Sequence, residues 1–213
     1  MRLVSVQIGK TRMLSNGGSH TRTGIFKNPV LGPVATYRDG LEGDRIGNKQ
    51  LHGGKYKAVY SYALEHYPFW SLELERSDLS FGYFGENLVT EGLMERDVFS
   101  GDVFRIGTAE LMATTPRMPC GTLARRLEQP DMVARFVDAE RPGIYFAVTK
   151  QGSFEAGDFI EKASSASGSL TIVQLMRMYV GRETDPAVYK LGSELESIPE
   201  EWRERFGRKR LGP

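Results

Sequence analysis

The stretch TTPRMPCGTLARRL, residues 114–127, contains the one cysteine of the chain. Prolines at 116 and 119 disfavour helical angles at Thr115 and Met118 and fix two φ values, so the approach to Cys120 is predicted to be extended and stiff. If residues 121–126 then turn helical, Cys120 starts a helix, close to free N–H groups and to the Arg117 cation. Both favour the thiolate, the form that ligates a soft metal or attacks as a nucleophile. A lone cysteine is also commonly a small buried hydrophobe, and local features leave both roles open.

A second cluster, LHGGKYKAVYSYALEHY, spans 51–67. His52 precedes Gly53 and Gly54, and paired glycines before a strand allow close backbone approach and can turn N–H groups toward an anion. Lys55 and Lys57 add positive charge; an ordinary turn with a solvated histidine is the plainer alternative. His66 is expected to be structural, and with no second histidine at ligand spacing a zinc site is not expected. In FGENLVT, Asn87 can donate and accept hydrogen bonds or simply make an Asx turn. Cys120 with His52 would also suit a thiol hydrolase. Walker A, dinucleotide-binding and nucleophile-elbow signatures are missing.

These residues must be positioned by β structure. RLVSVQIG (2–9) alternates as a strand does, KAVYSY (57–62) is β-branched and aromatic, and ENLVT, VFRIG, AELMATT, GIYFAVT (143–149) and GDFIEK (157–162) follow between Gly-rich turns. KTRMLSNGGSHTRTG reads as a polar loop leading to a strand near 22–26. Residues 63–75 read as a helix with Leu64, Tyr67 and Leu74 inward, which Pro68 would kink or restart. Short helices are predicted at 121–127 and 131–138. Such a series of short strands implies a barrel or sandwich rather than βαβ units.

ASSASGS (163–169) has linker composition. Beyond it, 169–207 reads as three helices: Thr171 and Gln174 have capping-box spacing, Ile172, Val173, Met176, Tyr179 and Val180 share a face, and Pro186 suits a first turn. GRKRLGP reads as a frayed tail. The predicted units are therefore 1–163 and 169–207.

The chain has 213 residues, 40% of them hydrophobic, with 28 basic and 27 acidic side chains. A formal charge of +1 gives no global argument for nucleic acid. The basic RERFGRKR segment is diluted by six nearby acidic residues, so nucleic-acid binding through the tail ranks low. One cysteine excludes an internal disulfide and fits a reducing compartment. No stretch approaches the length of a membrane span, and the start lacks a signal-peptide pattern, so a cytoplasmic location is predicted.

Taken in order, GIFKNPV, GDRIGNKQLHGGKYKAVYSYALEHYPFW, FGENL, GDVFRIGTAELMATTPRMPC and RPGIYFAVTKQG resemble the MOSC domain, named for the molybdenum-cofactor sulfurase C-terminal region, in its stand-alone bacterial YiiM type. The resemblance implies a mainly β fold with α, a compact β-barrel with peripheral helices and a C-terminal three-helix extension. It implies a molybdopterin-type cofactor with Cys120 as molybdenum ligand, and His52, Gly53 and Gly54 beside the metal. It further implies Asn87 in the pocket wall and Lys27 and Arg117 near the pterin phosphate and carboxamide. Thiolate suits molybdenum, and cations with backbone N–H groups suit a phosphate. The family aspartate four residues before the histidine is Asn48 here.

The implied activity is reduction of N-hydroxylated, hydroxylamine-type compounds such as N-hydroxylated nucleobases. Electrons would come from an external flavin or iron–sulfur protein, since neither motif occurs in the chain. A non-catalytic carrier of the cofactor or its sulfur is the alternative. Pyridoxal phosphate is not expected, because no lysine stands in a Schiff-base motif. The tail is expected to pack on the body, covering one end or forming part of a homodimer contact.

Overall fold

The computed structural model describes residues 1–16 and 19–210. The first part of the chain forms β1 (Arg2–Ile8), β2 (Arg12–Asn16), β3 (Ser19–Thr23), β4 (Asn28–Val30), β5 (Val34–Tyr37), β6 (Gly40–Leu41), α1 (Lys49–His52) and β7 (Val59–Ala63). The middle forms α2 (His66–Glu73), β8 (Leu88–Glu91), β9 (Val103–Ile106), β10 (Ala109–Pro116), α3 (Gly121–Leu127) and α4 (Met132–Asp138). Then come β11 (Ile144–Lys150), β12 (Ser153–Phe154), β13 (Ile160–Ser164), α5 (Ile172–Val180), α6 (Pro186–Glu194) and α7 (Glu200–Arg210).

Eight strands make one mixed sheet in the order β13-β9-β10-β11-β7-β8-β1-β4, with β7 and β8 its parallel pair. Smaller sheets join β12-β5-β6 and β2-β3. All five residues of β7, VYSYA, are buried, because the strand is covered on both faces. Val59 joins a core with Leu3, Phe104, Phe146 and Phe154. Tyr60 and Tyr62 face a second core with Trp70, Phe84 and Phe136, filled by α2, α3 and α4. In that core the Trp70 and Phe136 rings stack 5.6 Å apart, a geometry that adds to simple area burial.

The expected closed β-barrel is not what the pairing gives. The ladder is an open series ending at β13 and β4, and its outer parts are linked by a single Arg2↔Phe159 bridge and a few backbone hydrogen bonds, such as Leu3 N–H to Asp158 O at 2.9 Å. The fold is mainly β with α: a mixed sheet flanked by helices.

Other expectations need correction. The polar segment read as a loop forms the β2–β3 hairpin, paired from Arg12↔Thr23 to Asn16↔Ser19; its Gly17-Gly18 tip lies outside the described residues. Pro68 is the third residue of α2, within the first turn where no intrahelical N–H is needed, so the helix starts there without a kink. Trp70, not singled out in sequence, is the fully buried residue of that helix.

The tail follows its predicted caps more closely than its predicted face. Thr171 and Gln174 complete the capping box, and the Asp185 side chain caps α6 with Pro186 at its first turn. The buried positions of α5 are Ile172, Leu175, Met176 and Met178, while Val173, Tyr179 and Val180 are half-buried. Two sides are covered because the helix packs on β10 and on α7 at once. Helix α7 continues to Arg210, through the segment read as frayed; residues 211–213 lie outside the described residues. The linker is pinned as well: buried Asp102 accepts from Ala166 N–H and Lys162 Nζ, each at 2.7 Å.

Candidate functional site

A cleft of about 360 Å³ opens where the β2–β3 hairpin, the loop after β6, helix α1 and the start of α3 meet. The sequence-predicted residues Lys27, His52, Asn87, Arg117 and Cys120 all line it. Four chain segments separated by tens of residues are thereby brought to one wall.

Cys120 immediately precedes α3 with extended backbone, φ −139° and ψ 170°, continuing the stiff approach that Pro116 and Pro119 impose on the residues before it. Burial alone would raise the thiol pKa, but a hydrogen bond with His52, the Arg117 charge and the backbone N–H groups of Leu123 and Thr122 outweigh it and bring it down to about 6. The group is therefore largely thiolate at neutral pH.

His52 ends α1 on the exposed side of the cleft. Asn48, where the resemblance leads one to expect an aspartate, starts this helix: its Oδ1 accepts from Gln50 N–H at 3.1 Å and its carbonyl from His52 N–H at 3.0 Å. An asparagine caps a helix as well as an aspartate does, so the amide retains the positioning of His52 without the charge. Gly53 and Gly54 do not line the cleft. The Gly53 N–H is bonded to the Lys49 carbonyl at 3.0 Å, and Gly54 takes φ +95°. Gly53 thus spends its N–H inside the turn behind His52, and Gly54 supplies the positive φ of that turn. Thr114 steadies that turn: its one hydroxyl proton is shared between the Tyr56 carbonyl at 2.6 Å and the Tyr145 carbonyl at 2.9 Å.

Lys27 is not a free cation. It pairs with Asp44 at 2.5 Å, with side-chain exposures of 7% and 8%. Burial lowers the Lys27 pKa, which the Asp44 charge opposes. Asp44 also accepts from Gly9 N–H at 2.8 Å and from Asn87 Nδ2 at 3.0 Å. Asn87 Oδ1 accepts from Tyr60 N–H at 3.1 Å, so its amide locks β7 to the floor of the cleft. Arg117 is buried, with its guanidinium 5.6 Å from the Tyr60 ring centre and 5.4 Å from that of Phe136. Its Nη1 has no hydrogen-bond partner among the described residues.

Sequence reasoning missed Asp44, whose only signal was its place in the quoted GDRIG stretch. It also missed Arg22, Arg45 and Arg125 in the lining, whose convergence depends on the unforeseen hairpin. His66 is apart from the cleft, bonded to Glu95 at 2.9 Å and to Arg141 at 3.1 Å in a buried structural cluster. Among the described residues no group of three His, Cys, Asp or Glu could hold a metal ion; a metal at Cys120 would have to bring most of its own ligands. Among the described residues no helix is long and apolar enough to cross a membrane.

The MOSC domain family model matches residues 48–161. Over 209 residues the chain is 35% identical to the uncharacterized protein YflK of Bacillus subtilis, covering 98% of this chain and 94% of that one. A protein named reductase from Gibberella moniliformis is 31% identical over 183 residues, 84% of this chain and 32% of the other. Among solved structures, YiiM from Geobacillus stearothermophilus superposes with a TM-score of 0.82 at 30% identity, covering 99% of both chains.

Proposed function

Because the chain belongs to the MOSC domain family, and to its stand-alone YiiM type, we propose that it binds a molybdopterin-type cofactor in this cleft and reduces N-hydroxylated compounds, N-hydroxylated nucleobases among them. The observation that carries the reading is the Cys120 thiol, held mostly ionised at the cleft wall. The residues fit such a group on two counts: a single soft thiolate suits a metal that brings its other ligands with it, and the unpartnered Nη1 of buried Arg117 is a donor left over for an anion. In this reading residues 1–163 are the cofactor-binding body and 169–207 an extension packed on it.

Cys120 would be the protein's metal ligand, with Arg117 and the Lys27–Asp44 pair beside the pterin. Asn87 acts indirectly, holding Asp44 and the β7 backbone in register. When bound, the cofactor supplies a two-electron metal centre. A substrate R–NHOH takes up two electrons and two protons, the N–O bond breaks, and R–NH2 and water leave. Exposed His52, at the edge of the cleft, is placed to hand over a proton. The electrons would come from an external flavin or iron–sulfur protein in a reducing, cytoplasmic setting, where Cys120 stays a thiol. The relative named reductase favours turnover over mere carriage.

The test uses protein produced with an intact cofactor pathway. Cys120→Ser should lower molybdenum content and hydroxylamine-type reduction by about 100-fold or more, since even outer-shell changes cost 10–100-fold in metal affinity. Full metal content and full rate in that variant would sink the ligand assignment; metal without turnover in the wild type would make the protein a carrier.

A further inference from the structure

The chain is almost neutral, yet its cleft is not. Six cationic side chains line it among the described residues, Arg22, Lys27, Arg45, Lys57, Arg117 and Arg125, against one carboxylate, Asp44. That carboxylate is already bound to Lys27. Elsewhere on the surface, arginines are neutralised: Arg76 by Asp78, Arg135 by Asp131 and Glu73, Arg177 by Glu140 and Arg182 by Asp138. Among the described residues Arg22, Arg45 and Arg125 find neutral acceptors instead. Arg22 donates to the Thr11 hydroxyl at 3.0 Å, Arg45 to the Asp44 carbonyl at 2.9 Å and Arg125 to the Gly121 carbonyl at 3.3 Å.

Their placement is built into the backbone. A Cβ on Gly24 would run into the Arg45 carbonyl, and one on Gly47 into the Arg22 carbonyl. The two segments therefore lie in close backbone contact, which brings Arg22 and Arg45, both exposed, to the same cleft lining. The half-buried Arg125, on α3, shares the same lining. Unpaired like charges held in a concave wall raise the local concentration of anions and await a counter-charge.

We propose that Arg22, Arg45 and Arg125 form a phosphate-reading rim, and that the substrate is an N-hydroxylated nucleotide rather than a free base or nucleoside. This rests on the reductase reading and narrows it. A concave site shared with Cys120 suits a small phosphate ester better than the flat face an acidic protein would need.

The test compares N4-hydroxycytidine with its 5′-monophosphate as substrates of the metal-loaded protein. The monophosphate should have a kcat/KM about tenfold higher at low ionic strength, with the advantage shrinking in high salt. In the triple variant Arg22→Gln, Arg45→Gln, Arg125→Gln the ratio should fall toward one. Equal kcat/KM values in the wild type would overturn the proposal. So would loss of molybdenum from the triple variant, which would assign the arginines to the cofactor. Equal slowing of both substrates with weaker dependence on donor concentration would assign them to the electron donor and overturn it too. If the wild type reduces neither probe, the reductase reading fails by itself. Calorimetry then decides the rim: cytidine 5′-monophosphate binding more tightly than cytidine, and weakened in the triple variant, supports it, and equal binding refutes it.

Discussion

The C-terminal helices and the cleft use the same residue types in opposite ways. In the helical unit most caps and charges meet complementary partners, within the unit or on the neighbouring body. Thr171 and Gln174 cap α5, Asp185 caps α6, Arg177 and Arg182 pair with Glu140 and Asp138, and Arg205 donates to the Tyr179 carbonyl. Beneath them lies a core of Leu175, Met178, Tyr189, Trp202 and Phe206. In the cleft, by contrast, Arg22, Arg45 and Arg125 donate to neutral oxygens among the described residues, a lysine and a carboxylate are buried together, and a thiol is held ionised. Local rules agree with the fold in the first region and conflict with it in the second, which is where a ligand is the natural missing partner.

The largest effect that would sharpen this contrast is in thiol reactivity. At pH 6 a thiol of pKa near 6 has a thiolate fraction roughly 150-fold above that of an ordinary cysteine of pKa about 8.5. Iodoacetamide alkylation of metal-free protein should therefore rise through a midpoint near pH 6, falling away as pH drops below it. His52→Ala removes a stabilising hydrogen bond to the thiolate and should move the midpoint upward; a wild-type midpoint near 8.5, the ordinary thiol value, would erase the distinction between the regions.

Next in size is Asp44→Ala. It strands the buried Lys27 ammonium and removes the acceptor used by Gly9 and Asn87, so urea unfolding should show a loss of about 3–5 kcal/mol. A loss under about 1 kcal/mol would mean that the pair behaves like an exposed one. The smallest is Thr171→Ala, which opens the α5 capping box and should lower stability by about 1 kcal/mol in thermal unfolding. It should leave the Cys120 alkylation midpoint where it was. A shifted midpoint would show that the tail and the cleft are not independent.

Legibility followed the same divide. Strands with one buried face, the caps of the tail and the prolines before Cys120 are local signals, and each element they predicted exists. The β2–β3 hairpin was not legible because SHTRT is polar throughout and the two apolar residues of RMLSN, Met13 and Leu14, are adjacent and so fall on opposite faces, leaving no inside–outside pattern. The Lys27–Asp44 pair, and with it the hydrogen bond from Asn87 to Asp44, depends on tertiary contacts that no spacing encodes. Gly53 and Gly54 were visible as special, but whether a glycine pair faces a ligand or only makes a turn is decided by which carbonyl takes its N–H.

The order of strands has a kinetic consequence. Leu3 pairs with Thr90, and its backbone N–H bonds to Asp158, so β1 can be seated only after segments far along the chain have folded around it. Long-range pairing of this kind slows folding relative to helical units of the same size. The floor beneath Asn87 and Asp44 is completed by β1 itself, through Gln7 and by Gly9 just beyond its end. Until that late closure the cleft has walls but no base. A ligand that binds only the finished cleft would bias the last step of folding toward completion, shifting the balance by mass action.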